Sequence, residues 1–454
     1  MFETLPFSIE AFIARERDAY EAALAEIVEI PTVSTDPVYA PHIHRGAAWA
    51  LAFLQRHGVE ARLYETGGYP VVVGRITHPD ARRTVTIYNH LDVQPANEPE
   101  WVGDPFTFIK DGDFYRGRGA TDDKGPLLAA FWAALAARER SLPLNITLIW
   151  EFEEEIGSPH FAGFLAAHAT ELATDSVLVS DTIWIARDKP AAPTGLRGML
   201  GFRLLLETGT KDVHSGLAGG AARNPIGELC QLITDMYDAR TGRIHIPDIY
   251  ESVKPASPEE VAQFLASGFD TAEFQRAHGL HCLRMQDPAE VTQAIWSQPT
   301  FEVHGIVGGY TGPGIKAIVP PRAEAKISMR LVPDLKPAEV LERVKAFVAA
   351  RAPDVIVEAG GLLEPYEGSA QGAYSDAIRS SLRLAFGVDP AFVREGGSIG
   401  AVVSMQRHLG CPIMFIGLSL PEHGYHAPNE FFDWQMASGG MRAFGHYFDL
   451  ISQF

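Results

Sequence analysis

His90-Leu91-Asp92-Val93-Gln94-Pro95, followed by Tyr115-Arg116-Gly117-Arg118-Gly119-Ala120-Thr121-Asp122-Asp123-Lys124-Gly125, is the stretch around which the chain is organised. The β-rich run Thr84-Val85-Thr86-Ile87-Tyr88 leads into it, and a run of small apolar residues with high helix propensity, Leu127 to Ala137, follows it. His90 and Asp92 therefore stand at a strand end, and Asp122-Asp123 at a helix N-terminus. In an open α/β sheet, ligands bind in the crevice beyond the strand C-termini. Residues two apart on extended backbone face one side, so Asp92 is expected to accept the second N–H of an imidazole whose other nitrogen binds a metal.

Outward from this stretch, other strand ends deliver the same chemistry. The predicted strand Asn145 to Phe152 runs into Glu153-Glu154-Glu155, and the strand Asp175 to Ser180 ends at Asp181. A third, Ile413 to Gly417, precedes Pro421-Glu422-His423-Gly424-Tyr425-His426-Ala427-Pro428-Asn429-Glu430. Amphipathic spacing predicts helices over residues 8–28 and 42–57 and a last one from Asp433 to about Leu450. After Gly195 the texture changes to strands at Met199 to Glu207, Ile315 to Val319, Ala323 to Leu331 and Val355 to Glu358, with helices at Pro225 to Tyr237 and Pro337 to Ala350. That order predicts an α/β protein, a central mixed sheet flanked by helices, carrying an inserted α+β two-layer domain. The expected boundaries are 1–196 and 363–454 for the two parts of the first domain and 197–362 for the insert, with 241–300 elaborating the insert.

Composition narrows the function. The 454 residues are 46% hydrophobic and 21% charged, ordinary for a globular protein and long enough for two cores. A net charge of -19 disfavours nucleic acid and anionic membrane as partners, since both attract a basic face. Met1-Phe2-Glu3-Thr4-Leu5-Pro6 lacks a signal-peptide profile, and no run of about 18 apolar residues is present to cross a bilayer. Three dispersed cysteines, Cys230, Cys282 and Cys411, fit a reducing compartment, so a cytoplasmic protein is expected.

His90, Asp122, Glu154, Glu155, Asp181 and His426 collect at these strand ends. Imidazole with carboxylate suits zinc or manganese, and a carboxylate bridging two ions about 3.5–4 Å apart makes a two-metal hydrolase feasible. One further carboxylate, free of metal, is then needed to move a proton, and adjacent Glu154 and Glu155 can divide those tasks. From the residues alone His423 and His426 are equal candidates.

At these residues the chain resembles the carnosinase and cytosolic non-specific dipeptidase branch of the metallopeptidase family that also holds aminoacylase, succinyl-diaminopimelate desuccinylase and carboxypeptidase G. The resemblance covers nearly the whole chain. It rests on the two blocks quoted first, on Glu154-Glu155 before Gly157-Ser158, Ser180-Asp181, Gly195-Leu196-Arg197-Gly198, Lys211-Asp212-Val213-His214-Ser215-Gly216, Ile327-Ser328-Met329-Arg330-Leu331-Val332-Pro333, Arg394-Glu395-Gly396-Gly397-Ser398-Ile399, and His426 before Asn429-Glu430.

The resemblance implies a zinc-peptidase-like catalytic domain with an inserted lid and dimerisation domain. By position it implies that His90 and Asp181 hold one metal and Glu155 and His426 the other, with Asp122 bridging, Asp92 orienting His90, and Glu154 serving as general base and then acid. It implies a cis peptide at Asp122-Asp123, a substrate carboxylate held by Arg330 and Ser398, and a homodimer in which His214 reaches into the partner's site to stabilise the oxyanion. The implied cofactors are two divalent ions, zinc first and manganese as the alternative. The implied substrate is a small peptide, a dipeptide with a free C-terminal carboxylate. One position departs from the pattern, Ala317 standing where those dipeptidases carry a threonine. An N-acyl amino acid deacylase with the same metals is the second enzymatic reading, and a metal-free binding or scaffolding protein is the non-enzymatic one.

Overall fold

The computed structural model describes residues 7–454. Met1 to Pro6, read above for targeting signals, lie outside the described residues.

The strands Val71–Ile76, Thr84–His90 and Asn145–Glu151 are almost continuously buried because they are covered on both faces. They belong to a six-stranded sheet ordered Glu60–Tyr64, Val71–Ile76, Asn145–Glu151, Thr84–His90, Ser176–Val179, Ile413–Phe415. The first two pairings are antiparallel and the other three parallel. Strand alternation divides the side chains between two layers. Val85, Ile87, Leu148 and Leu178 pack with helices Ile9–Val28, Ala40–Arg56, Gly125–Glu139 and Trp434–Ile451. Tyr88, Ile149, Val177 and Val179 pack with helices Phe161–His168 and Gly400–Leu409 on the other face.

A second hydrophobic core is built on a four-stranded antiparallel sheet ordered Thr300–Gly308, Arg322–Leu331, Gly198–Glu207, Ile356–Leu363. One face of Gly198–Glu207 is buried at every second residue, Leu200, Phe202, Leu204 and Leu206, against Leu229 of helix Pro225–Met236 and Val344 of helix Pro337–Arg351. The predicted fold class is the one observed: a mixed α/β body with an α+β two-layer insert.

Local differences have physical causes. Thr300–Gly308, which begins where the stretch read as an elaboration ends, was not expected; as an edge strand it buries Phe301 alone and so shows no alternating pattern. The strand expected over Ile315 to Val319 shrinks to Ile318–Val319, paired with Val213–His214, while Ile315 is 99% exposed. The helix expected over Leu127 to Ala137, with Asp122-Asp123 at its N-terminus, runs Gly125–Glu139 and begins two residues after Asp123. Asp122 and Asp123 have extended φ of -122°, and the peptide between them is cis.

Gly125 permits this junction. A Cβ there would lie 2.3 Å from the carbonyl oxygen of Ala120 and 2.5 Å from the ring of Phe432, and backbone cannot give way as a side chain can. Gly125→Ala is expected to lower stability by about 1–3 kcal/mol through overpacking, read as a lower denaturant midpoint. An unchanged midpoint would show that the junction tolerates a side chain.

Candidate metal centre

The C-terminal ends of the parallel strands bring the acids and imidazoles together. His90 is the last residue of its strand, and Glu154-Glu155 and Asp181 follow theirs. Two groups result. The ligand atoms of His90, Asp122 and Asp181 lie within 4.8 Å of one another, and so do those of Asp122, Glu155 and His426. Asp122 belongs to both and offers a different oxygen to each. Its Oδ1 is 3.0 Å from His90 Nε2, and its Oδ2 is 2.8 Å from His426 Nε2. His90 Nε2 is 3.7 Å from Asp181 Oδ2, and His426 Nε2 is 3.4 Å from Glu155 Oε2.

The donor set tests whether a metal fits. Asp92, Asp122, Asp123 and Asp181 are buried, as is the Glu155 carboxyl, and the imidazoles His90 and His426 are the bases among them. Glu155 Oε1 is buried without a hydrogen-bond partner. Burial pushes Glu155 up to about 8, aided by the charge of Asp122, and it raises Glu154 well above the usual carboxylate range. The imidazoles are raised too, for a different reason: burial opposes their protonation, yet contact with Asp122 raises His426 to about 9 and holds His90 well above its ordinary value. Such a pocket is short of positive charge, and oxygen and nitrogen donors without sulfur suit divalent ions.

Neighbouring acids that the sequence could not tell apart are sorted by their partners. Asp123 turns away from both groups; its Oδ2 accepts from Asn89 Nδ2 at 2.7 Å and its Oδ1 from Ser180 Oγ at 3.2 Å. Glu155 joins the second group and its Oε2 accepts from Gln94 Nε2 at 2.6 Å. Glu154 stands beside His90 and Asp181 without belonging to either group. His423 is fully buried and bonded to Thr121 Oγ1 at 2.9 Å and Asp433 Oδ2 at 3.2 Å, which leaves His426 to face Asp122.

The expected contact between Asp92 and His90 takes a different form. His90 Nδ1 donates to the carbonyl oxygen of Asp92 at 3.0 Å, whereas the nearer carboxylate oxygen is 3.6 Å away. The carboxylate is engaged elsewhere, its two oxygens accepting the backbone N–H of Glu154 at 3.1 Å and of Glu155 at 3.0 Å. Asp92 thus fixes the glutamate turn with its side chain and the imidazole with its backbone.

Arg330 and Ser398, far apart in sequence, meet: Arg330 donates to Ser398 Oγ at 2.8 Å. His214 is exposed in the insert, its Nδ1 accepting from Gly216 N–H at 2.9 Å, and it does not join the two groups.

Three residues received no role from sequence. Glu430 is wholly buried, and its carboxylate accepts the N–H groups of Gly119, Thr121 and Asp122 at 2.9, 2.9 and 3.1 Å and pairs with buried Arg118 at 2.8 Å. It aligns the loop that presents Asp122. Glu395 lines the cleft of about 1090 Å³ that opens beside His426; burial raises its carboxyl to about 8, and Oε2 is unpartnered. Tyr425 donates to Asp181 Oδ1 and stacks on His426. Glu430, Glu395 and Tyr425 lie inside quoted motifs, but burial, which gives them their importance, has no signature in a single sequence.

Two donor groups sharing one aspartate at the edge of a mixed sheet, under an inserted α+β domain, define a dinuclear metallohydrolase fold and site. The chain belongs to peptidase family M20/M25/M40, whose family model matches residues 86–449, and the resemblance read from the sequence is borne out. The chain is 30% identical over 462 residues to the Cys-Gly metallodipeptidase dug1 of Schizosaccharomyces pombe, covering 96% of each chain. It is 30% identical over 467 residues to human Beta-Ala-His dipeptidase, covering 97% of this chain and 92% of the relative. Among solved structures it superposes on the dipeptidase Dug1p of Saccharomyces cerevisiae with a TM-score of 0.89 at 26% identity, covering 98% of both.

Removing the Glu430 carboxylate leaves Arg118 buried without its counter-charge and three N–H groups without an acceptor. Glu430→Ala is expected to cost about 3–5 kcal/mol of stability and to lower the metal content of purified protein. Wild-type stability and metal content in that variant would exclude this role.

Proposed function

We propose that this chain hydrolyses the peptide bond of dipeptides that carry a free C-terminal carboxylate, using two divalent ions, zinc first and manganese as the alternative. The observation that carries the reading is Asp122, which turns one oxygen to each donor group. His90 and Asp181 would hold one ion and Glu155 and His426 the other. When bound, the pair supplies Lewis acidity toward the carbonyl and lowers the pKa of water to about 7.

The chain's own residues supply the rest. Arg330, with Ser398 at 2.8 Å, offers a planar cationic fork and a hydroxyl to the substrate carboxylate. Glu154, raised in pKa by burial, takes a proton from the attacking water and passes it to the leaving amine. Asp92 supports both by fixing the Glu154 backbone and the His90 ring. The dipeptidases to which the chain is similar over nearly its whole length support a dipeptide over an N-acyl amino acid.

His214 is assigned to the active site of a second copy, where it would donate to the oxyanion. The insert supports a homodimer by exposing large apolar side chains near His214: Leu217, Tyr310 and Ile315. No helix among the described residues is long and apolar enough to cross a membrane. The three free cysteines suit the cytoplasm, the compartment proposed; a disulfide in protein isolated under non-reducing conditions would argue against it.

Glu154→Gln and His214→Ala are each expected to lose about 10²–10⁴ in rate, the first with metal content unchanged. Mixed and reassembled, the two inactive variants should recover about a quarter of wild-type activity, since half of random dimers are mixed and each has one intact site. No recovery would place His214 in its own subunit's site or outside catalysis. Wild-type preference for N-acetyl or N-succinyl amino acids over dipeptides would turn the assignment to a deacylase.

A further inference from the structure

Tyr425, beside the metal centre, touches the side chain of one proposed ligand in each group. Its hydroxyl donates to Oδ1 of Asp181, and the Asp181 oxygen that faces His90 is the other one, Oδ2. Its ring stacks on the imidazole of His426, with centroids 4.9 Å apart and planes at 25°. The backbone makes the second contact possible: His426 has φ +58°, an uncommon conformation outside glycine, which folds the two adjacent side chains toward one another. His426 needs such support. Its side chain is 48% exposed, whereas the imidazole of His90 is buried and tied to a backbone carbonyl.

We infer that Tyr425 is a positioning residue for both ion sites, its hydroxyl orienting Asp181 in the first and its ring holding His426 in the second. The inference rests on the two-ion reading above. A hydrogen bond to the distal oxygen of a ligating carboxylate fixes the carboxylate's rotation, and removal of such an outer partner typically costs 10–100-fold in metal affinity. A stacked neighbour limits the rotamers open to a half-exposed imidazole, so less freedom is lost when it binds an ion.

The two contacts can be separated by substitution. Tyr425→Phe removes the hydroxyl and keeps the ring; Tyr425→Leu removes both. Apo protein would be titrated with Zn²⁺ against a chromophoric chelator to resolve two stepwise affinities, and with Co²⁺ to read the ligand-field bands of each step. Tyr425→Phe is expected to weaken one step about 10–100-fold and change its Co²⁺ bands, leaving the other step within about threefold. Tyr425→Leu is expected to weaken the second step as well. Both steps unchanged in Tyr425→Phe, or both weakened equally, would overturn the assignment of the hydroxyl to Asp181. A Tyr425→Leu protein identical to Tyr425→Phe would overturn the role of the ring. If wild-type protein takes up fewer than two ions, the two-ion reading falls and this inference falls with it; loss confined to the variants leaves that reading intact.

Discussion

A pocket that gathers Asp92, Asp122, Asp181 and the Glu155 carboxyl out of water, with Glu154 at its side, can persist only if positive charge enters it. Burying an unpaired carboxylate costs several kcal/mol even after relaxation, and two imidazoles are too few to balance this set. Burial accordingly raises Glu155 to about 8 and Glu154 well above its ordinary range. Two divalent ions would resolve the shortage completely. The same charge shortage underlies the proposed chemistry: groups held in excess of what imidazole can neutralise would bind ions that activate water, and the carboxylate left over would move the proton.

The scaffold places those acids by routine means. Parallel strands end at one edge of the sheet, so residues following Thr84–His90, Asn145–Glu151 and Ser176–Val179 share a crevice although they are far apart in sequence. Backbone hydrogen bonds then set directions within it. Asp92 binds the amides of Glu154 and Glu155, and Glu430 binds those of Gly119, Thr121 and Asp122, so one carboxylate orients each ligand-bearing turn. The insert contributes Arg330 to a hydrogen bond with Ser398 of the sheet body, which joins the two cores next to the cleft. These acids are buried as structural acceptors, a different use of the same residue type as the ligands beside them.

Much of this was legible in the sequence because it depends on periodicity and on order. The apolar runs that become the central strands, the amphipathic helices packed on them and the change of texture after Gly195 all reflect burial of one face or two, which leaves a pattern along the chain. The convergence of His90, Asp122, Glu155, Asp181 and His426 followed from strand ends and from family resemblance. What sequence could not supply depended on partners distant along the chain. Whether His90 meets the carboxylate or the carbonyl of Asp92 was decided by which amides the carboxylate had already bound. From the residues alone His423 and His426 were indistinguishable and only the resemblance pointed to His426; His423 lies beneath the loop, against Asp433. The edge strand Thr300–Gly308 escaped notice because exposure on both faces removes the alternation that marks a strand.

The central claim is that two ions share Asp122 between His90 with Asp181 and Glu155 with His426. Anomalous diffraction from crystals of the purified protein, collected across the zinc and manganese absorption edges, tests it most directly. The account predicts two peaks about 3.5–4 Å apart on either side of the Asp122 carboxylate, both at the zinc edge if zinc is the native metal. A single peak, or peaks remote from Asp122, would contradict it.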